Sequence, residues 1–238
     1  MTNIYRDVIL DEKQLPIKNC AYTQCFRREA GSYGKDVRGL NRLHEFSKVE
    51  IVRIDTPEHS RESHKEMLEH VEGLLQKLEL PYRILHLCGG DMSFTAATCF
   101  DFEVYSEAQK RWLGVSSVSN FDTYQANRLK CRYRTAEKKT ELCHTLNGSA
   151  LALPRIVAAL LENNQTPEGI RIPKALVPYC GLNDTPYQPA DSSAKDSAPE
   201  QRIISLSQAF ALLARIGYVI SEVADISDLP LVESAPSS

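Results

Sequence analysis

The chain has 238 residues, of which 42% are hydrophobic and 25% charged, and its net charge is −3. This composition is ordinary for a globular protein and excludes wholesale disorder, collagen-like repeats and coiled-coil rods. No apolar run approaches the roughly 18–20 residues that span a bilayer, and residues 1–16 do not resemble a signal peptide. We therefore expect a cytoplasmic protein without a membrane partner, and its net charge gives no global attraction for nucleic acid.

The first predicted elements are two strands joined by a long loop. Alternating apolar residues predict strands over 17–26 and 44–54, and the loop between them is rich in glycine and arginine. Thr56 and Pro57 then predict the start of a helix that ends before Pro81. Its apolar stripe repeats at helical spacing and consists of Met67, Val71, Leu74, Leu75 and Leu78.

Further strands are predicted in the middle of the chain. They cover 82–88, 99–105 and 111–119, with a weaker prediction over 129–134. Strands of several lengths with helices between them, and no regular βαβ alternation, favour an α+β fold on a largely antiparallel sheet.

A second helix is predicted at about 149–163. Asn147 and Gly148 predict a turn before it, and its residues are apolar nearly all round, which indicates a buried helix. Pro154 is tolerated because it falls in the first turn, where N–H groups lack helical partners.

The last part of the chain differs in composition. Residues 182–203 are rich in Pro, Ser and Asp and predict a flexible linker, whereas 204–238 predict a small helical or irregular tail. The domain proper is expected to cover 1–181.

Metal and disulfide signatures are absent from the sequence. There is no CxxC pair and no HExxH, Walker A or GxGxxG motif, so the thiols are expected to be reduced and mostly buried. The seven cysteines are Cys20, Cys25, Cys88, Cys99, Cys131, Cys143 and Cys180.

Three polar clusters could carry chemistry. The loop at 27–42 holds five Arg and Lys residues, which suit phosphate, although a solvated hairpin loop would have the same composition. Arg155 lies on the apolar second helix, where it either binds something or extends its charged end to the surface. The serines at 116–120 form a weaker third cluster.

These segments resemble motifs of a known family. FRREAGSYGKDVRGLNRLHEFSKVE at 26–50 is similar to motif 2 of class II aminoacyl-tRNA synthetases, and HTLNGSALALPRIVAALLENNQTPEGIRIPKALVPY at 144–179 is similar to motif 3. GGDMSF at 89–94 and VSSVSNF at 115–121 lie between them in the order found in the seryl-tRNA synthetase family. The resemblance covers about residues 2–181.

The resemblance implies a serine–tRNA ligase on an antiparallel sheet flanked by helices. Such an enzyme joins serine to ATP to form seryl-adenylate, and then transfers the seryl group to tRNA. Arg27 and Arg155 would be the catalytic residues, and Phe46 and Arg155 would enclose the adenine ring. The implied ATP-binding residues are Arg27, Arg28, Glu29, Leu43, Phe46, Val115, Ser116, Ser117 and Arg155.

The resemblance also implies sites for serine and for a metal ion. Glu50, Asn147 and Ser149 would bind serine, and Ser117 would contribute to binding Mg²⁺ on ATP. Gly114 occupies the position where the family carries a glutamate that helps to hold this ion, and glycine has no side-chain ligand.

The match is partial. The chain is expected to be incomplete at its N-terminus, without motif 1, which builds the family's homodimer, and without the helical hairpin that binds tRNA. Two interpretations follow. The chain is either a serine–tRNA ligase catalytic domain or a truncated or degenerate paralogue that keeps a nucleotide-binding fold without catalysis.

Overall fold

The protein is built around an antiparallel sheet. A computed structural model describes residues 1–29, 39–167, 169–180 and 184–186. Every neighbouring pair of strands in the main sheet is antiparallel, which confirms the predicted α+β fold. Among the described residues, its six strands from edge to edge are β2 (Ile17–Phe26), β3 (Glu45–Asp55), β9 (His144–Ala152), β6 (Arg111–Asn120), β5 (Thr98–Ser106) and β4 (Tyr82–His86).

Two smaller sheets lie outside this main sheet in the described part of the chain. The first contains β1 (Ile9–Asp11), β7 (Arg132–Arg134) and β8 (Thr140–Leu142), with β1 parallel to β7. The second is antiparallel and contains β10 (Gln165–Thr166), β11 (Gly169–Arg171) and β12 (Asp184–Pro186).

Strand β12 lies inside the segment 182–203 that the sequence predicts as a linker. Its backbone pairs with β11, so residues 184–186 belong to a sheet. The ladder gives these backbone groups hydrogen-bond partners that composition alone does not reveal. The rest of that segment, and the tail predicted at 204–238, lie outside the described residues.

The α-helices in the described residues are α1 (Ser60–Lys77), α2 (Tyr124–Leu129), α3 (Leu153–Asn163) and α4 (Val177–Cys180). Short 3₁₀ helices cover Thr2–Tyr5, Glu12–Gln14, Gly39–Asn41 and Lys174–Leu176. None of the described helices is both long enough and apolar enough to cross a membrane.

The main hydrophobic core lies between the sheet and helices α1 and α3. The predicted apolar stripe of α1 is buried there, and Met67 and Leu75 are almost fully enclosed. Phe102 of β5 and Ile156 of α3 are both completely buried in the same cluster. Burying each such side chain stabilises the fold by about 1.5–3 kcal/mol, and it fixes the end of α3 that carries Arg155.

The predicted start of the first helix was wrong. Helix α1 begins at Ser60, and the residue before it, His59, makes no capping bond with its side chain. The Asp55 carboxylate accepts hydrogen bonds from the Thr56 N–H at 2.8 Å and from the Ser63 hydroxyl at 2.5 Å. The Thr56 carbonyl accepts from the Ser60 N–H at 3.0 Å, whereas the Thr56 hydroxyl contacts His59 Nδ1 at 3.3 Å. Residues 57–59 therefore form a turn that leads into α1.

The predicted turn at Asn147–Gly148, and a helix from 149, were also wrong. Both residues lie within β9, and α3 begins only at Leu153. Gly148 is needed because a Cβ atom there would lie 2.9 Å from Val118 Cγ2 on β6. The glycine therefore permits close strand packing, a use of glycine that differs from a turn.

A β-bulge lies in the last four residues of β9, directly before α3. Between Ser149, opposite Glu50, and Ala152, opposite Lys48, strand β9 contains one more residue than β3. Leu151, inside this bulge, is fully buried and has a φ of 102°. Bulges bend a strand locally, and this one directs the chain from the sheet into α3.

The weak prediction at 129–134 corresponds to two elements. Helix α2 ends at Leu129, and strand β7 begins at Arg132. Lys130 between them has a left-handed backbone, with a φ of 55°, which closes the helix.

Candidate functional site

One cavity of about 250 Å³ collects most of the predicted site residues. It opens where the loop after β2, the start of β3, strands β6 and β9, and the first turn of α3 meet. Nine predicted residues line it, namely Arg27, Glu29, Leu43, Phe46, Val115, Ser116, Ser117, Ser149 and Arg155. Arg28, Glu50 and Asn147, all within the described residues, are not part of this lining.

Strand pairing brings these residues together across more than a hundred positions of sequence. The β2–β3 register pairs Phe26 with Glu45, which places Arg27 next to the start of β3. The β3–β9 register pairs Glu50 with Ser149. The predicted hairpin over 17–54 is therefore confirmed, and it shares one sheet with β9, directly before α3.

Arg155 is held in the cavity by two backbone carbonyls. Its Nε donates to the Asn41 carbonyl at 2.8 Å, and one terminal nitrogen donates to the Gly114 carbonyl at 2.5 Å. Burial lowers the pKa of the Arg155 guanidinium, and the nearby charges of Arg42 and Arg27 lower it further. Because its two bonding partners are neutral, this side chain brings an excess of positive charge to the cavity.

Phe46 supplies an aromatic face beside these charges. The Arg27 guanidinium lies over the Phe46 ring, 5.2 Å from its centroid. The resemblance implied that Phe46 and Arg155 enclose a purine ring, and in the structure it is Arg27 that covers Phe46. Such a cation–π contact contributes on the order of 0.5–1 kcal/mol at an exposed site and is easily exchanged for a ligand.

Glu29 lines the cavity and is bound by Arg42. The Arg42 Nε donates to the Glu29 carboxylate at 2.5 Å. This hydrogen bond is the main reason that the pKa of Glu29 is lowered, and the charges of Arg42 and Arg27 act in the same direction. Glu29 is therefore a pure hydrogen-bond acceptor at neutral pH.

The residues predicted to bind serine are only partly brought together. The Ser149 hydroxyl donates to the Glu50 carboxylate at 3.1 Å, and Lys48 forms an ion pair with the same carboxylate at 2.9 Å. Asn147 lies two residues away on β9, opposite Val52 and Ser119. Glu50 and Ser149 thus form one polar pair, and Asn147 lies beside it along the strand.

Among the polar residues that line the cavity, sequence reasoning missed Asn41, Lys48 and Asp101. Lys48 falls two residues from both Phe46 and Glu50, so the strand period placed it on their face. Asn41 lies near the end of the arginine-rich loop, and its Oδ1 atom is buried without a partner among the described residues. Asp101 is placed by the β5–β6 register, which the sequence does not reveal.

The described residues offer no preformed metal centre. No group of three His, Cys, Asp or Glu side chains among them could hold a metal ion, and the six cysteines with described side chains are free thiols. Ser117 and Gly114 both line the cavity, and of the two only Ser117 has a side-chain oxygen. A cation bound here would need further ligands from a substrate.

Residues 1–164 match the family model of the tRNA synthetase class II core domain (G, H, P, S and T). The chain belongs to this family. The match includes every cavity residue predicted from the sequence, so the cavity lies within the class II core domain.

Curated relatives of this class II core domain are named serine–tRNA ligases. The relative from Salinibacter ruber is 60% identical over 184 residues, and that from Gloeobacter violaceus is 55% identical over 181 residues. The alignments cover 76% and 75% of this chain, but only 43% and 42% of the two relatives. The chain therefore spans less than half the length of the relatives it matches.

Solved structures agree with this assignment of the core domain. Seryl-tRNA synthetase from Pyrococcus horikoshii, complexed with ATP, superposes with a TM-score of 0.74 at 40% identity, covering 78% of this chain and 42% of that one. The cytoplasmic serine–tRNA ligase from Naegleria fowleri, in complex with AMP, gives 0.71 at 35% identity, covering 75% and 43%. Both proteins carry an adenine nucleotide.

Proposed function

We propose that this chain provides the serine-activating site of a serine–tRNA ligase. The observation that carries the proposal is the convergence of Arg27, Phe46 and Arg155 on one cavity. Two guanidinium groups suit phosphates, and an aromatic ring in the same cavity suits a purine. The names of the relatives support the same assignment.

The nucleotide is expected to bind with its adenine ring against Phe46. Arg155 and Glu29 line the same cavity, and the Glu29 carboxylate can accept from the adenine amino group. The buried, unpartnered Oδ1 of Asn41 is a further acceptor. Arg27, Arg28 and the serines at 116 and 117 would then be directed towards the phosphates.

Serine is expected to bind at the Glu50–Ser149 pair. The Glu50 carboxylate is already an acceptor for a hydroxyl and an ammonium group, from Ser149 and Lys48. Serine carries the same two donors, so it can compete for these contacts. Asn147 is assigned to the far end of this subsite.

Catalysis would depend on positioning and on electrostatic stabilisation. A carboxylate oxygen of serine attacks the α-phosphorus of ATP, the bond to the bridging oxygen breaks, and pyrophosphate leaves. Arg27 and Arg155 would stabilise the charge that develops on the phosphate oxygens. No protein nucleophile is required.

Mg²⁺ fits the oxygen groups of this cavity, with Ser117 as one candidate ligand. The ion usually binds through one or two carboxylates together with substrate phosphates, which agrees with the lack of a protein-only metal cluster in the described residues. When bound, it would neutralise part of the triphosphate charge.

Further proposals follow from the family assignment. A serine-accepting tRNA would be the second substrate, and assembly as a homodimer in the cytoplasm is expected for protein biosynthesis. Residues 1–181 are proposed as the catalytic unit.

Serine-dependent exchange of pyrophosphate into ATP tests this function directly. Arg27→Ala and Arg155→Ala should each weaken ATP binding by about 1.5–3 kcal/mol, because each removes a charged hydrogen-bond partner. Arg61→Ala, on the exposed face of α1, is the matched control. Unchanged ATP affinity in both cavity variants would refute the nucleotide site.

The same assay separates catalysis from binding alone. If the original chain binds ATP but does not exchange pyrophosphate, and Gly114→Glu restores exchange, the chain has a nucleotide-binding site that lacks one catalytic ligand. A side chain has room at 114, because a Cβ atom there would be 3.8 Å from the nearest side-chain atom, a terminal nitrogen of Arg155. ATP binding without exchange in either form would support the non-catalytic paralogue.

A further inference from the structure

A carboxylate and a hydroxyl lie side by side at the cavity on neighbouring strands. Asp101 of β5 and Ser117 of β6 are directly opposite each other in the antiparallel register, and both line the cavity. Side chains of such a pair lie on the same face of the sheet, with Cβ atoms about 4.5–5.5 Å apart. One ion can therefore contact oxygen atoms from both.

The Asp101 carboxylate differs from the other carboxylate that lines the cavity. Glu29 is neutralised by its ion pair with Arg42. The hydrogen bond recorded for Asp101 comes from the Cys99 thiol at 3.7 Å, and a thiol is a weak donor. Within the described residues no Arg or Lys forms a salt bridge with Asp101, although four of them line the cavity.

An uncompensated carboxylate would repel a triphosphate bound in the same cavity. The repulsion becomes an attraction if a divalent cation lies between the two groups. Gly114, which also lines the cavity, offers no side-chain oxygen. Asp101 is thus the cavity carboxylate that remains available to a cation.

We infer that Asp101, together with Ser117, holds Mg²⁺ against the phosphates of the bound nucleotide. This inference rests on the proposed nucleotide site and adds a specific ligand to it. Two protein oxygens and two or more phosphate oxygens match the preference of Mg²⁺ for a few protein ligands and substrate phosphates. The site is therefore formed only when the nucleotide is present.

The test compares ATP affinity in the presence of Mg²⁺ with ATP affinity in EDTA, by calorimetry on the full chain. Asp101→Asn keeps the shape and removes the charge. With Mg²⁺ it should weaken ATP binding about tenfold, a loss of the size seen when groups around a metal are changed. In EDTA it should leave ATP binding unchanged or tighten it, because the repulsion is gone.

The matched control is Asp91→Asn. Asp91 also accepts from a cysteine thiol, that of Cys88 at 3.6 Å, but it is exposed and outside the cavity lining. It should change neither affinity. Ser117→Ala is a second variant. It should lower the ratio of ATP affinity with Mg²⁺ to ATP affinity in EDTA, as Asp101→Asn does. Mn²⁺ with ATP, followed by electron paramagnetic resonance, should show weaker ion binding in both cavity variants.

The inference is overturned if Asp101→Asn weakens ATP binding equally with and without Mg²⁺, since that pattern belongs to a structural role. It is also overturned if, in both cavity variants, the ratio of ATP affinity with Mg²⁺ to ATP affinity in EDTA stays within twofold of the ratio for the original protein. Failure of the proposed nucleotide site itself would give a different result. In that case Arg27→Ala and Arg155→Ala would leave ATP affinity unchanged in either buffer.

Discussion

The two glycines at positions 114 and 148 differ in the room around them. A Cβ atom at Gly148 would lie 2.9 Å from Val118 Cγ2 and 3.2 Å from the Ser117 carbonyl oxygen, whereas at Gly114 the nearest atom would be 3.8 Å away. The first position therefore forbids a side chain for reasons of packing. The second has space for one.

This difference predicts opposite outcomes for the same substitution. Gly148→Ala should destabilise the fold by about 1–3 kcal/mol, because it forces apart two central strands. Gly114→Ala should stay within about 0.5 kcal/mol of the original protein. Urea unfolding of the two variants measures both values, and similar losses at the two positions would contradict the packing argument.

At the scale of elements, the bulge at the end of β9 contains local backbone strain. Leu151 has a positive φ of 102°, which is an outlier for a residue with a branched, bulky side chain, and it is fully buried. Such strain costs about 1–3 kcal/mol and persists because the surrounding core fixes the backbone. The bulge and the helix after it place Arg155 at the cavity.

At Leu151 the usual stability advantage of alanine over glycine should disappear. Both remove buried contacts, and Leu151→Ala should cost about 2–5 kcal/mol. Leu151→Gly should be no worse, because glycine adopts positive φ freely. Leu146, fully buried on the same strand, is the control, and there glycine should be less stable than alanine. Urea unfolding of all four variants measures these stabilities. If Leu151→Gly is less stable than Leu151→Ala, as at an ordinary position, backbone strain at Leu151 is excluded.

A second prediction at this scale concerns His64, which ties α1 to β6. Its Nε2 atom lies 3.0 Å from the Val118 carbonyl, to which the neutral ring donates. Burial lowers the pKa of His64 below its ordinary value of 6.5, and the charge of His86 lowers it slightly more. The folded state therefore disfavours the protonated ring.

Because the unfolded chain takes up this proton at about pH 6.5, the stability that the neutral His64 ring contributes is complete above that pH. It is lost as the pH falls below 6.5 towards the lowered pKa of the folded state. His64→Gln should reduce the slope of unfolding free energy against pH in this range. His144, whose pKa burial also lowers, accounts for part of the remaining slope. An unchanged slope in the variant would contradict the assignment.

The elements show what the sequence can and cannot predict. The alternation of apolar and polar residues over 17–26 and 44–54 predicted the hairpin correctly, because such alternation is typical of strands. The apolar run around Ala150–Leu153 has no such period, so a buried strand end and a helix start cannot be distinguished there. The motif residues Arg27, Phe46 and Arg155 were predicted through the family resemblance. The position of Asp101 next to Ser117 depends on strand register, which a single sequence does not fix.

At the scale of the whole molecule, nucleotide binding should stabilise the fold. The cavity joins β3, β6, β9 and α3, so a ligand there binds only the folded chain. At an ATP concentration one hundred times the Kd, the gain is about 2.7 kcal/mol, or roughly 5–10 °C in Tm for a chain of this size. Thermal unfolding with and without ATP measures it. Arg27→Ala should lose most of the shift, and a shift retained in full would place the nucleotide elsewhere.

The strand order of the main sheet also constrains how the chain folds during synthesis on the ribosome. Strand β9 is the last of the six described strands to emerge, yet it lies between β3 and β6. Until residues 144–152 leave the ribosome, β2–β3 and β4–β5–β6 are two separate ladders, each with an unpaired edge. Such edges are prone to pair with other chains. A nascent chain that stalls before this point is therefore exposed to misassociation, and arrival of one strand both closes the sheet and completes the cavity.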